Sequence, residues 1–334
     1  MSRQSPLRCN HKSIQTFLLV LSLLVSNSLL RTVVALALSG PVNIISSPSP
    51  TPSDEMDHLL TLCYASSLSY LPIESILSSN YAVRVPGLKP ILQVMEPRTE
   101  SGATVFEVQG DGDALIVACR GSATVRNFAT NLRFGLRPVP EKFDSPNARC
   151  HEGFQEAAEG LWERLGPHLL GGEAGEKKRR EILFTGHSLG GGTAEICALH
   201  AASDLAAMTD QSSLSARGGR SATRITEVTT FGGPRIGDAG FAQCVNEGAL
   251  LSGATIRHLV HGADPILANN NPLWDRLGFV RSGAEIRCDP FKPRILAAHS
   301  DVDNENRDVG VSRVPWNIAD HCRYLGIYLG PRLL

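Results

Sequence analysis

The chain has 334 residues, with 32 Lys and Arg against 33 Asp and Glu, a formal net charge of −1, 42% hydrophobic residues and 6% aromatic ones. Near-neutral charge removes the electrostatic footprint of a nucleic-acid binder, and the apolar content is too high for a disordered chain. The length suits one large globular domain of about 250 residues or two small ones, and a soluble folded enzyme is the expectation.

Residues 1–53 carry Arg3, Arg8, Lys12 and Arg31 but no acid, the first carboxylate being Asp54. Within them Phe17 to Val25 reads FLLVLSLLV, the length of a signal-peptide apolar core, and Ala35-Leu36-Ala37 places small residues at cleavage spacing. Residues 1–37 therefore read as a signal peptide and the chain as secreted or lumenal in the secretory pathway. Two alternatives stay open. Ile14 to Leu38 is long enough to remain as a membrane anchor, against which Arg31 counts, and the Ser-rich, acid-free segment after the apolar core is open to a second reading as a plastid transit peptide following a signal. Residues 38–53 end in the Pro/Ser alternation IISSPSPTPS, a linker.

A helix is predicted from Ser53 or Asp54, because Met56, Leu59, Leu60 and Cys63 share one face. Thr104 to Val108 and Ala114 to Cys119 read as strands around the turn Gly110-Asp111-Gly112. Residues 123–134 place Val125, Phe128, Ala129 and Leu132 at i, i+3, i+4 and i+7, a short amphipathic helix stopped by Gly135; it serves either as a packed surface helix or as a lid. His151 to Leu170 is helical in spacing, and Ile182 to Thr185 is a short strand running into Gly186-His187-Ser188-Leu189-Gly190-Gly191-Gly192. An Ala-rich helix to about Met208, a strand Ile225 to Phe231, a helix near Asp238 to Glu247 and a strand Ala254 to Val260 follow. Strands alternating with helices specify one α/β domain over 54–334, a mostly parallel sheet with helices on both faces.

Removal of Cys9 with the leader leaves Cys63, Cys119, Cys150, Cys197, Cys244, Cys288 and Cys322, enough for three disulfides with one thiol left over. None has metal-ligand spacing, and Cys119 and Cys197 lie in apolar runs that suit buried free thiols. No metal or organic cofactor is expected.

A Gly-x-Ser-x-Gly alone is weak evidence, but here a short apolar strand precedes it and a helix follows at once, the setting of a nucleophile elbow that lifts the Ser188 hydroxyl above a sheet. A serine needs a histidine to take its proton and a carboxylate to orient that histidine. Asp264, in the loop after the strand ending at Val260, is the best-placed acid; Asp275 and Asp289 lie farther from a strand end, and Asp238 suits a helix N-cap. Of the downstream histidines, His299 falls in the polar stretch Ala298 to Asp308, read as a solvated loop, so His321 is favoured as base. His187, adjacent to the serine, is assigned to packing. The oxyanion of an acyl-transfer transition state needs two preorganised donors, for which the Leu189 N–H and Ser122, just after the strand ending at Cys119, are the candidates.

Cys119-Arg120-Gly121-Ser122, Arg126-Asn127-Phe128, His151-Glu152-Gly153-Phe154, Gly186 to Gly192, Thr230 to Gly237, Asp264 and Asp320-His321-Cys322-Arg323-Tyr324 together resemble, in order, the class 3 lipases. That resemblance implies an α/β-hydrolase fold, the triad Ser188, Asp264 and His321, oxyanion donors Ser122 and Leu189, and a lid over 123–134 whose Val125, Phe128 and Leu132 meet substrate. It also implies that the loop after the acid, with Ile266 and Leu267, borders the acyl groove; the continuation Asp264-Pro265-Ile266-Leu267-Ala268 departs there from the family pattern. The implied reaction is hydrolysis of acylglycerol esters at a lipid–water interface. An A1-type phospholipase or galactolipase and a feruloyl-type esterase are the alternatives, and a hydrolase-fold protein that binds lipid or a partner without turnover is the remote one.

Overall fold

The computed structural model describes residues 52–78, 87–108, 114–121, 135–170, 180–214, 223–261, 264, 274, 276–299 and 321–331. The leader, most of the linker, Ser122, the 123–134 helix with Val125, Phe128 and Leu132, and Ile266 and Leu267 lie outside these residues.

The first described helix, α1, is Pro52–Leu68, so Pro52 and Ser53 belong to the helix rather than to the linker. Proline suits a first helical position because its missing N–H would have no intrahelical partner there. α1 is followed by α2 (Ile73–Ser78), β1 (Leu88–Glu96), β2 (Ser101–Val108), β3 (Ala114–Cys119), β4 (Leu136–Pro138) and β5 (Arg149–His151). Next come α3 (Glu152–Leu170), β6 (Glu181–His187), α4 (Leu189–Leu214), β7 (Arg224–Phe231), α5 (Ala239–Glu247) and β8 (Thr255–Val260). β9 (Ala284–Cys288), β10 (Ile295–His299), β11 (Arg323–Tyr324) and β12 (Ile327–Tyr328) complete the described elements.

Eight strands form one sheet in the order β1-β2-β3-β6-β7-β8-β9-β10. From β3 to β9 neighbouring strands are parallel, whereas β1, β2 and β10 extend the sheet by antiparallel pairing. The parallel centre is covered on both faces, which is why β3 and β6 are almost continuous apolar runs. Side chains nonetheless divide by the two-residue period: Val105, Val117 and Phe184 join the core beneath α3 and α4, while Phe106, Ile116 and Leu183 join the core under α1 and the β11–β12 hairpin.

α4 is buried along its whole first half, from Leu189 to Ser203. Its Gly- and Ala-rich sequence keeps it thin enough to lie against the centre of the sheet. This is the layered α/β-hydrolase architecture expected from the sequence. The strand-ordered expectation omitted β1 and β9, whose partly exposed, polar-interrupted sequences carry little apolar signal, and the five-residue β10. The reading of 298–308 as a loop is corrected at its start, since Ala298 and His299 pair with Ile286 and Glu285 at the end of β10; residues 300–308 lie outside the described set.

All seven described cysteines are free, and all but Cys322 are buried. Cys119 and Cys197 thus have the expected thiol form. Burial pushes the Cys150 thiol well above its ordinary value, and Cys288 and Cys322 up to about 12, so these groups remain protonated near pH 7.

Candidate active site

β6 ends at His187 and α4 starts at Leu189, leaving Ser188 alone to make the turn, with φ of 58°. A non-glycine residue in the left-handed region is held there only by its surroundings. Ser188 N–H donates to the Phe231 carbonyl at 3.0 Å and Gly191 N–H donates to the Ser188 carbonyl at 2.9 Å. The flanking glycines are required by contact: a Cβ on Gly186 would stand 2.3 Å from the Gly190 oxygen, and one on Gly190 would stand 2.2 Å from the Cys119 oxygen. The strand, the turn and the helix therefore close on one another with no room for a methyl group. Leu189, the first residue of α4, presents an N–H with no intrahelical acceptor, and its side chain is buried.

Asp264 and His321, 57 residues apart, meet at this end of the sheet. His321 Nδ1 lies 2.7 Å from Asp264 Oδ2, and both side chains are almost wholly buried. The carboxylate can only accept, so Nδ1 carries the proton and Nε2 of the neutral ring presents a lone pair. Nε2 is buried and has no hydrogen-bond partner among the described residues. The Tyr324 hydroxyl donates to the same Asp264 Oδ2. Burial, reinforced by the Asp264 charge, raises the Tyr324 phenol well above its ordinary value and keeps it a donor. The sequence motif assigns Tyr324 no role; only the approach of β11 to Asp264 reveals one.

Gly232 ties this pair to the serine turn. It follows Phe231, whose carbonyl holds the Ser188 N–H, and its φ is +62°. A Cβ there would lie 3.0 Å from His321 Cε1 and 3.1 Å from Asp264 Oδ2, so the backbone of the β7 loop forms the floor under both side chains.

His187 does more than fill space. Its ring stacks obliquely on that of His321, with centroids 4.7 Å apart. Burial, followed by the proximity of His321, lowers His187 to about 3, so the ring is neutral near pH 7. Nε2 is 2.8 Å from the His321 carbonyl oxygen and must be the protonated nitrogen; Nδ1 then accepts from the Tyr70 hydroxyl at 2.8 Å. A chain from Tyr70 through His187 thus fixes the backbone of His321. Tyr70 gave no sequence signal, since it lies just beyond α1 and 117 residues from its partner.

The competing base is placed elsewhere. β9 is parallel to β8 and β10 antiparallel to β9, so His299, opposite Glu285 near the start of β9, belongs to the opposite end of the sheet from Ser188. Asp238 caps α5 by accepting from Phe241 N–H at 2.9 Å, as its position suggested. The His151 block is also architectural: His151 Nδ1 accepts from the Gly153 and Phe154 N–H groups at the start of α3.

Behind the turn lies a second buried polar cluster. Glu195, on α4, pairs with the Ser282 hydroxyl and lies 4.0 Å from His258 Nε2. His258 Nδ1 is 2.8 Å from the Thr230 hydroxyl, and Arg281 donates to the Gly233 carbonyl at 2.6 Å. Burial raises Glu195 to about 7 and lowers His258 well below its ordinary value. Among the described residues no group of three or more His, Cys, Asp and Glu side chains is arranged to hold a metal ion.

Residues 116–269 match the family described as Lipase (class 3). A lipase of Rhizomucor miehei is 29% identical over 225 residues, covering 66% of this chain and 55% of that protein. Secreted mono- and diacylglycerol lipase 1 of Fusarium solani is 30% identical over 157 residues, 46% of this chain and 38% of that one. The chain thus spans about half or less of the length of these relatives. The fold is shared with a solved triacylglycerol lipase whose catalytic centre is described as a serine-protease triad: TM-score 0.64, 24% identity, covering 84% of this chain and 98% of that one.

Proposed function

We propose that this chain, which belongs to the class 3 lipase family of the α/β-hydrolases, is a serine carboxylester hydrolase that cleaves fatty-acyl esters of acylglycerols. The observation that carries the reading is the buried Asp264–His321 pair, which leaves Nε2 of His321 as a lone-pair acceptor at the end of the sheet where Ser188 makes its strained turn.

In this mechanism Ser188 Oγ attacks the ester carbonyl as His321 Nε2 takes its proton. The imidazolium formed is held by Asp264, whose charge Tyr324 also steadies. The tetrahedral oxyanion accepts from the Leu189 N–H and from Ser122, a donor assigned on sequence alone. His321 then protonates the leaving alcohol, which departs and leaves an acyl-enzyme on Ser188. Water, deprotonated by the same His321, attacks that ester; collapse releases the fatty acid and returns the proton to Ser188.

The 123–134 helix acts as the lid, with Val125, Phe128 and Leu132 turned to lipid when it opens, and Ile266 and Leu267 border the acyl chain. These roles rest on the amphipathic spacing and the family pattern. The apolar leader and the secreted relative support entry into the secretory pathway, with cleavage after Ala37.

The test uses protein exported on its own leader, with an N-terminus expected at Leu38. Wild type is expected to hydrolyse both a soluble short-chain ester and emulsified triacylglycerol, with a jump in rate once an interface forms. Ser188→Ala is expected to lose at least about 10⁴-fold in kcat on both. Residual turnover near wild type in Ser188→Ala would sink the mechanism, and activity on soluble esters without the interfacial jump would remove the lid.

A further inference from the structure

We propose that the β9–β10 turn is a docking element for an anionic lipid surface, mounted on the segment that carries His321. This rests on the hydrolase reading and names the kind of surface at which that site works.

The position follows from sheet topology. β8 and β9 are parallel, with Val260 opposite Arg287, so Cys288 ends β9 on the edge from which the Asp264 loop departs. The turn from Asp289 to Arg294 therefore projects from the active-site edge. It is also strapped to the hairpin following the histidine: Leu325 N–H donates to the Asp289 carbonyl at 3.1 Å, and Gly326 N–H to the Pro290 carbonyl at 3.0 Å.

The turn is stiff and its apolar residue points outward. Asp289 N–H donates to the Arg294 carbonyl at 2.8 Å, and the Asp289 carboxylate accepts from Phe291 N–H at 2.8 Å and Lys292 N–H at 3.1 Å. Pro290 and Pro293 limit the backbone further. Phe291 is 62% exposed, and Lys292 and Arg294 beside it are exposed. The Arg323 guanidinium sits 5.3 Å from the Phe291 ring centroid. An isolated exposed phenylalanine is ordinary. Here one cation lies over the ring and two more, Lys292 and Arg294, share its turn, while the Asp289 carboxylate of that turn is engaged in holding the backbone.

That chemistry selects the occupant. An aromatic ring enters the interfacial layer of a bilayer while lysine and arginine reach back to anionic headgroups, each cation adding to the attraction. A zwitterionic surface offers the ring its layer but leaves the cations unrewarded. With the turn seated, the His321 end of the sheet faces the lipid.

The experiment measures partitioning of the full exported chain onto vesicles of ether-linked phosphatidylcholine, with and without ether-linked phosphatidylglycerol, lipids it has no ester to cleave. Soluble short-chain ester hydrolysis is followed in parallel. Phe291→Ser is expected to weaken binding to the anionic vesicles by about tenfold, and Lys292→Gln with Arg294→Gln by about tenfold on anionic vesicles alone, with soluble-ester kcat/KM unchanged in both. Either variant binding anionic vesicles as wild type does overturns the proposal. So does an equal loss by the charge variant on both vesicle types, or a matching fall in soluble-ester turnover, which would make the turn a support for His321 instead. Failure of wild type to hydrolyse the soluble ester sinks the hydrolase reading separately, because the partition measurement does not depend on turnover.

Discussion

The turn at Ser188 and the Asp264–His321 pair stand at the same sheet edge but are assembled differently. The turn is specified within a few residues: a strand, two glycines that cannot carry a Cβ, a serine at positive φ and an immediate helix. The pair joins groups 57 residues apart, with Tyr324 and Gly232 closing around the carboxylate and His187 and Tyr70 holding the histidine backbone. The geometry of Ser188 is thus a property of local backbone sterics, whereas the placement of His321 depends on long-range polar contacts. The first should fail by misfolding and the second by misalignment.

Gly190→Ala is the sharpest test of the local half. Its Cβ would meet the Cys119 backbone oxygen, which has no flexible end to move aside. The expected cost is about 4 kcal/mol or more, read from urea unfolding, with activity falling alongside stability. A variant with wild-type stability would show that the turn is far softer than its contacts imply.

Glu195→Gln probes the seam, because Glu195 lies on α4 while Ser282 and His258 belong to the half that carries Asp264. Burial raises the Glu195 carboxyl from 4.5 to about 7. The folded protein thus keeps a proton that the unfolded chain releases from about pH 4.5 upward; its contribution is full below 4.5 and is lost as pH rises through 7. The decline in unfolding free energy between pH 5 and pH 8 should accordingly shrink by about 2 kcal/mol in the glutamine variant. An unchanged pH profile would mean that Glu195 is ionised in the fold.

The smallest effect is expected from Tyr324→Phe. It removes one donor from Asp264 while Nδ1 of His321 remains, so kcat for a soluble ester should fall about tenfold, with stability little altered. No change in kcat would show that His321 alone sufficiently orients the carboxylate. A loss as large as that of Ser188→Ala would instead make the phenol indispensable to the acid.

Legibility in the sequence followed the same division. The buried strands β3 and β6, α3, α4 and the elbow were readable because apolar runs and small residues act locally. β1 and β9 escaped because exposed polar residues interrupt their apolar ones and dilute the signal, and the short β10 carries only five residues. Position along the chain favoured His321 over His299, but strand direction gives the reason, since β10 carries His299 to the far end of the sheet.

The sequence by itself determined that there is a strand–turn–helix serine, an α/β layer order and a short set of candidate acids and bases. Those are consequences of side-chain size and periodicity, which a linear string contains. Tertiary structure decided which carboxylate oxygen meets which ring nitrogen, that Tyr324 shares Asp264, that neutral His187 braces His321, and that Phe291 stands with its cations on the active-site edge. Hydrogen bonds reach only about 3 Å, so partners 57 to 134 residues apart in sequence become defined only when the sheet has brought their loops together.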